Sequence, residues 1–160
     1  LEGILGAEIP GSLGYPARAS ATHRTASSCV QCHMGDATAV DEGGHSWAPV
    51  EAVCIQCHGA VPGSSNSYTN DYPELFALLR QVKGTDPEGN PITGILYEEF
   101  EDGVRSVYAN EGVWPDAAAM AAWNYKTIYE DQSRGIHNPK YTEALLMNSI
   151  EAVRDLLNED

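Results

Sequence analysis

The feature that most constrains this chain is a pentapeptide that occurs twice, Cys29-Val30-Gln31-Cys32-His33 and Cys54-Ile55-Gln56-Cys57-His58. All four cysteines lie in these two motifs, so none is left over as a scattered core thiol. Two thiols three positions apart on one helical turn stand side by side and can bond the two vinyl groups of a single porphyrin. The histidine that follows points from the same turn towards the iron. The pattern therefore predicts two covalently attached haem c groups. Cys29 and Cys32 would hold the first, with His33 as proximal ligand, and Cys54 and Cys57 the second, with His58. Other uses of Cys-x-x-Cys explain less. A zinc ribbon needs two such pairs separated by roughly 15–20 residues. The gap here is close to that, but a ribbon has no need of histidine after each pair. A thioredoxin-like site needs one pair near a βαβ pattern, which the sequence lacks. Two structural disulfides would leave both histidines without a role.

Two irons take at most two further axial ligands, and three of the five histidines remain for them: His23, His45 and His137. His23 lies shortly before Cys29. His45 sits in Gly43-Gly44-His45-Ser46-Trp47, where the glycines let the backbone approach a flat macrocycle. His137 sits in Gly135-Ile136-His137-Asn138-Pro139. Methionine, the other common axial ligand, raises the potential. Met34 adjoins a proximal histidine and lies on the wrong side of that haem, while Met120 and Met147 match helix stripes and read as core. The histidines supply enough ligands to close both irons, with one to spare.

Composition narrows the function further. The chain has 160 residues, which fits one domain, and 23 Asp+Glu against 9 Lys+Arg. So acidic a chain cannot build the basic face that nucleic acid requires. Its field favours solubility and steers basic partners. No apolar run approaches the 18 or so residues of a membrane span. The first residue is Leu1 rather than Met and no signal-like segment opens the sequence, so a processed product is expected. Haem c is attached after export, which predicts a periplasmic or extracellular protein.

Along the chain, the expected fold is mainly α with extensive loops, a single dihaem domain wrapped around closely spaced haems. Residues 1–22 read as an extended N-terminal arm, 23–60 as the haem-binding segment, and 61–70 as a loop. Residues 71–158 read as a helical segment whose helices pack on the haems. Within it, 71–83 predicts a helix with Pro73 in its first turn, Leu75, Phe76, Leu79 and Val82 recurring at helical spacing, and Gly84 as its stop. Residues 85–94 read as a turn-rich connection. The stripe Leu96, Phe100, Val104 and Val107 favours a helix over 95–110, against a hairpin turning at Glu101-Asp102-Gly103. Further helices are expected over 115–131 and, capped by Asn138 with Pro139 in its first turn, over 139–158.

The run His23, Cys29-x-x-Cys32-His33-Met34, His45, Cys54-x-x-Cys57-His58 resembles the last two haem sites of the pentahaem cytochrome c nitrite reductases and their multihaem relatives. The later stretch, Trp123 and then Gly135-Ile136-His137-Asn138-Pro139-Lys140-Tyr141 with Leu145-Leu146, resembles the helix that donates a distal histidine in those proteins. The likeness covers roughly residues 20–158 and is specific at the haem motifs and the His137 turn. It implies a crossed ligand pattern: His137 opposite His33 on the first iron, and His23 opposite His58 on the second. The residue matching His45 serves an upstream haem in the family. With no upstream haem in this chain, His45 is either idle or a ligand to a haem of another subunit or protein.

The family's catalytic haem is missing, since neither Lys126 nor Lys140 follows a cysteine pair. The resemblance thus implies the electron-carrying end of the family rather than its chemistry. The expected protein is no enzyme. It would pass electrons to redox partner proteins, as a monomeric shuttle or as a subunit of an extracellular filament or other multihaem assembly. The competing expectation, a nitrite- or hydroxylamine-type haem enzyme, needs an iron with an open position. A third is a module of a larger multihaem complex.

Overall fold

In the computed structural model, residues 4–17, 23, 29–35, 46, 48–64 and 66–159 are described. Two short helices carry the cysteine motifs, α1 (Cys29–His33) and α2 (Glu51–His58). Then come α3 (Asn66–Leu79), a hairpin of β1 (Lys83–Thr85) and β2 (Pro91–Thr93), and a second hairpin of β3 (Leu96–Glu101) and β4 (Val104–Ala109). The chain closes with α4 (Asp116–Asp131) and α5 (Pro139–Asn158). The architecture is therefore mixed, three long helices with two small antiparallel sheets. No described helix is long and apolar enough to cross a membrane.

The core lies between α3, α4, α5 and the second hairpin. In α4, Ala118, Ala121, Ala122, Tyr125 and Ile128 recur at helical spacing and are all buried. In α5 the buried apolar set is Tyr141, Leu145, Leu146, Ile150 and Val153. Small alanines on α4 let α5 approach closely. The expected N-cap is present: the Asn138 side chain accepts a hydrogen bond from the Tyr141 backbone N–H, and Pro139 occupies the first turn.

Several local expectations are overturned. Residues 66–70 are helical rather than loop, and Pro73 lies well inside α3 on its exposed side. The reason is aromatic packing. Tyr68 stacks on Tyr72 with ring centres 4.8 Å apart, and Tyr72 stacks on Tyr125 of α4 at 4.2 Å. Contacts of this kind outweigh the weak helix propensity of a Ser- and Asn-rich start. Gly84 is not a helix stop but the centre of β1, pairing with Ile92, where a Cβ would run into the Trp114 ring. The turn-rich segment 85–94 supplies the loop and second strand of that hairpin.

Residues 95–110 form a hairpin rather than a helix. Asp102 and Gly103 both take positive φ, 50° and 79°, as a tight two-residue turn between twisted strands requires. Only Leu96 and Val107 of the apparent stripe are buried, whereas Phe100 and Val104 are 68% and 65% exposed. Alternation in the strands puts Leu96, Glu98, Phe100, Arg105 and Val107 on one face, of which Phe100, next to the turn, is left exposed. There Arg105 donates to Glu98 at 2.6 Å and to the Tyr125 hydroxyl at 3.2 Å. Met147 is half exposed rather than core, while Met120 is partly buried against the core.

The arm over residues 4–17 has no helix or strand but is docked. Its Ile9 is buried. Asn124, fully buried in α4, receives the Ala7 N–H at 2.6 Å and donates to the Ala7 carbonyl at 3.0 Å, as a neighbouring strand would. The Tyr141 hydroxyl accepts from Gly6 N–H at 2.9 Å.

Candidate metal centre

The two motif helices lie against each other. The Val50 backbone N–H donates to the Cys32 carbonyl at 2.7 Å, which ties the start of α2 to the end of the first motif. Gly35 makes that approach possible, because a Cβ there would stand 2.9 Å from the Gln31 carbonyl and 3.5 Å from Val50. Left-handed Gly59, with φ 71°, closes α2 by donating to the Ile55 carbonyl. All four thiols are free, with Cys29 and Cys57 exposed and Cys32 and Cys54 partly so. Burial pushes the Cys32 thiol up, and its neighbours Cys54, Cys29 and Cys57 add to that. The four sulfurs thus share one neighbourhood. Even so, among the described residues no group of three or more His, Cys, Asp or Glu converges as a chelated ion needs.

What the histidines form instead is two facing pairs. The rings of His33 and His137 are 5.9 Å apart between centres and cross at 64°. Those of His58 and His23 are also 5.9 Å apart and cross at 68°. A metal bonded to one imidazole nitrogen on each side at about 2 Å holds two ring centres roughly 6 Å apart. Both pairs have the spacing of axial ligands about an iron, and they combine the residues in the crossed order that the resemblance implies. His45 lies outside the described residues.

The chemical state of the second histidine in each pair is set by its other nitrogen. His23 Nδ1 lies 2.9 Å from the Ile136 carbonyl oxygen, which can only accept, so Nδ1 carries the hydrogen and donates it. His137 Nδ1 likewise donates to the Asp131 carboxylate at 2.9 Å. With Nδ1 committed to an acceptor in both rings, Nε2 is the nitrogen left to meet a metal. Burial alone would raise the Asp131 carboxyl. The hydrogen bonds it accepts, led by that from His137 and including one from the Ser133 hydroxyl, outweigh burial and hold it well below the ordinary carboxylate range.

One connection, residues 132–138 between α4 and α5, organises both distal rings. It turns through three positive-φ residues, Gln132 at 57°, Arg134 at 53° and Gly135 at 83°. The Ile136 N–H donates to the Ser133 carbonyl at 3.0 Å and the His137 N–H to the Ser133 hydroxyl at 3.2 Å. Asn138 then caps α5. His137 is displayed by this turn, and His23 is moored to it through Ile136. Asp131 and Ser133 were not singled out from the sequence. The available signal was a carboxylate and a hydroxyl just ahead of Gly135-Ile136-His137.

The donor set therefore fits two haem c groups: paired thiols on a helical turn, a histidine beside each pair, and a facing imidazole whose Nδ1 is held by an acceptor. No family model, curated protein or solved structure matches this chain.

Proposed function

We propose that this chain is an electron-transfer protein carrying two haem c groups, each iron held between two histidines. The observation that carries the reading is the facing of each motif histidine by a second imidazole at 5.9 Å. On this reading Cys29, Cys32, His33 and His137 hold the first haem, and Cys54, Cys57, His58 and His23 the second. The α4–α5 turn would present His137 to the first and, through the Ile136 carbonyl, orient His23 for the second. Bound haem supplies one-electron redox chemistry. A histidine on each side would leave neither iron a position for substrate, which favours relay over catalysis. Two imidazoles without methionine favour low potentials. The resemblance to the electron-carrying end of the pentahaem nitrite reductases supports the same conclusion. The protein would act in the periplasm or outside the cell, with redox proteins as partners. His45 exceeds what two irons need and is available to a haem of a neighbouring subunit in a filament or other multihaem assembly.

Visible spectroscopy and low-temperature EPR of the exported protein test this. Two covalent low-spin haems are expected. Because the ring planes cross steeply, two of the iron d orbitals stay close in energy, which predicts a highly anisotropic low-spin signal. His137→Ala and His23→Ala should each convert one haem to high spin, and His45→Ala should leave both low-spin in the isolated monomer. A wild-type protein with a high-spin haem that binds cyanide without displacing an imidazole would favour the enzyme reading. A protein without covalent haem would end both.

A further inference from the structure

The two histidine pairs differ in the acceptor that holds the second ring. His137 donates its Nδ1 hydrogen to a carboxylate, Asp131, whereas His23 donates to a backbone carbonyl, Ile136, both at 2.9 Å. A carboxylate carries a full negative charge and a carbonyl only a partial one. The carboxylate draws the hydrogen further and leaves its imidazole the stronger donor to a metal. The Asp131 side chain is only 8% exposed. It ends α4 and is fixed by the Ser133 hydroxyl. A more basic axial imidazole and a fixed negative charge act in the same direction, since each stabilises ferric over ferrous iron.

We infer that Asp131 is a positioning residue that sets the first haem, at His33 and His137, at a lower reduction potential than the second, at His58 and His23. The inference rests on the ligand assignment proposed above. A single electron delivered by a chemical or protein reductant then comes to rest on the second haem. In that step the first iron goes from ferrous to ferric and the second from ferric to ferrous. No bond forms or breaks, and the hydrogen stays on His137 Nδ1. The dihaem unit gains a direction, with entry at the first haem and exit at the second.

The test is a potentiometric titration of the haem-loaded protein with a chemical reductant and mediators, followed in the visible. Two one-electron steps are expected. Asp131→Asn keeps size and an acceptor oxygen but removes the charge, and should shift the lower step upward while leaving the upper one in place. Asp131→Glu should return the lower step most of the way. Ser133→Ala withdraws a competing donor from the carboxylate and should shift the lower step downward, which keeps a readout if the Asn variant accumulates poorly. His23→Met marks the second haem, because His/Met ligation raises the potential, and should move the upper step alone. If two low-spin haems are present but Asp131→Asn moves neither step, or only the upper, the inference falls and the dihaem reading stands. It falls also if Ser133→Ala leaves the lower step unmoved, or if His23→Met moves the lower step. If the chain carries no covalent haem, both fall together.

Discussion

Residues 29–58 and residues 66–158 hold their shape by different means. In the second region, side chains suffice: Leu75, Leu79, Tyr125, Leu145 and Val153 are fully buried in one continuous cluster. In the first, neither α1 nor α2 buries a single residue, and Val50 just before α2 is the buried residue among those described. Val30 and Ile55, inside the motifs, are 57% and 47% exposed. A five-residue and an eight-residue helix are too short to be stable on propensity alone. Among the described residues, the motif segment thus leaves apolar side chains uncovered. On the proposed reading the surface that covers them is the porphyrin.

The largest effect that would break the comparison comes from replacing all four cysteines by serine. Loss of both haems is expected, with amide exchange in 29–35 and 48–58 approaching that of an unfolded chain while α3, α4 and α5 stay protected. Undiminished protection of α1 and α2 would show that the motif segment stands unaided. A smaller effect lies on the other side. Leu145→Ala, at a site with no exposure, should cost about 2–5 kcal/mol in urea unfolding. The haem spectrum of the molecules still folded should be unchanged, and a spectral change would mean that the two regions are not separable. Smallest is Asn138→Ala, which removes the cap of α5 at about 0.5–2 kcal/mol. Because Asn138 follows His137, this substitution should also broaden the EPR signal of one haem. A stability loss without that broadening would confine the cap to the core.

Legibility in the sequence divides along the same line. The helices over 116–131 and 139–158 were readable because their burial follows from residue spacing and from a local cap at Asn138 and Pro139. The pairing of histidines came from the resemblance, not from spacing, since nothing local places His23 beside His58. The hairpin at 96–109 was missed because Leu96, Phe100, Val104 and Val107 satisfy helical spacing by chance, and the Asp102-Gly103 turn was the stronger signal. The early start of α3 was hidden because it depends on Tyr125, far along the chain. Asp131 was illegible for a related reason: its role follows from a backbone reversal through Gln132, Arg134 and Gly135, and two of those are not residues that announce left-handed turns.

That reversal has a consequence for how the chain can vary. His137 hangs from it directly and His23 through the Ile136 carbonyl, so one loop keeps two distant rings in register. Insertion or deletion of a residue between Asp131 and Asn138 would displace both donors together, and no compensating change at a single site would restore them. Elsewhere, the loop between β1 and β2 can lengthen with no effect on either histidine pair. The α4–α5 connection is, in effect, a fixed-length gauge whose size is set by two histidine pairs at once.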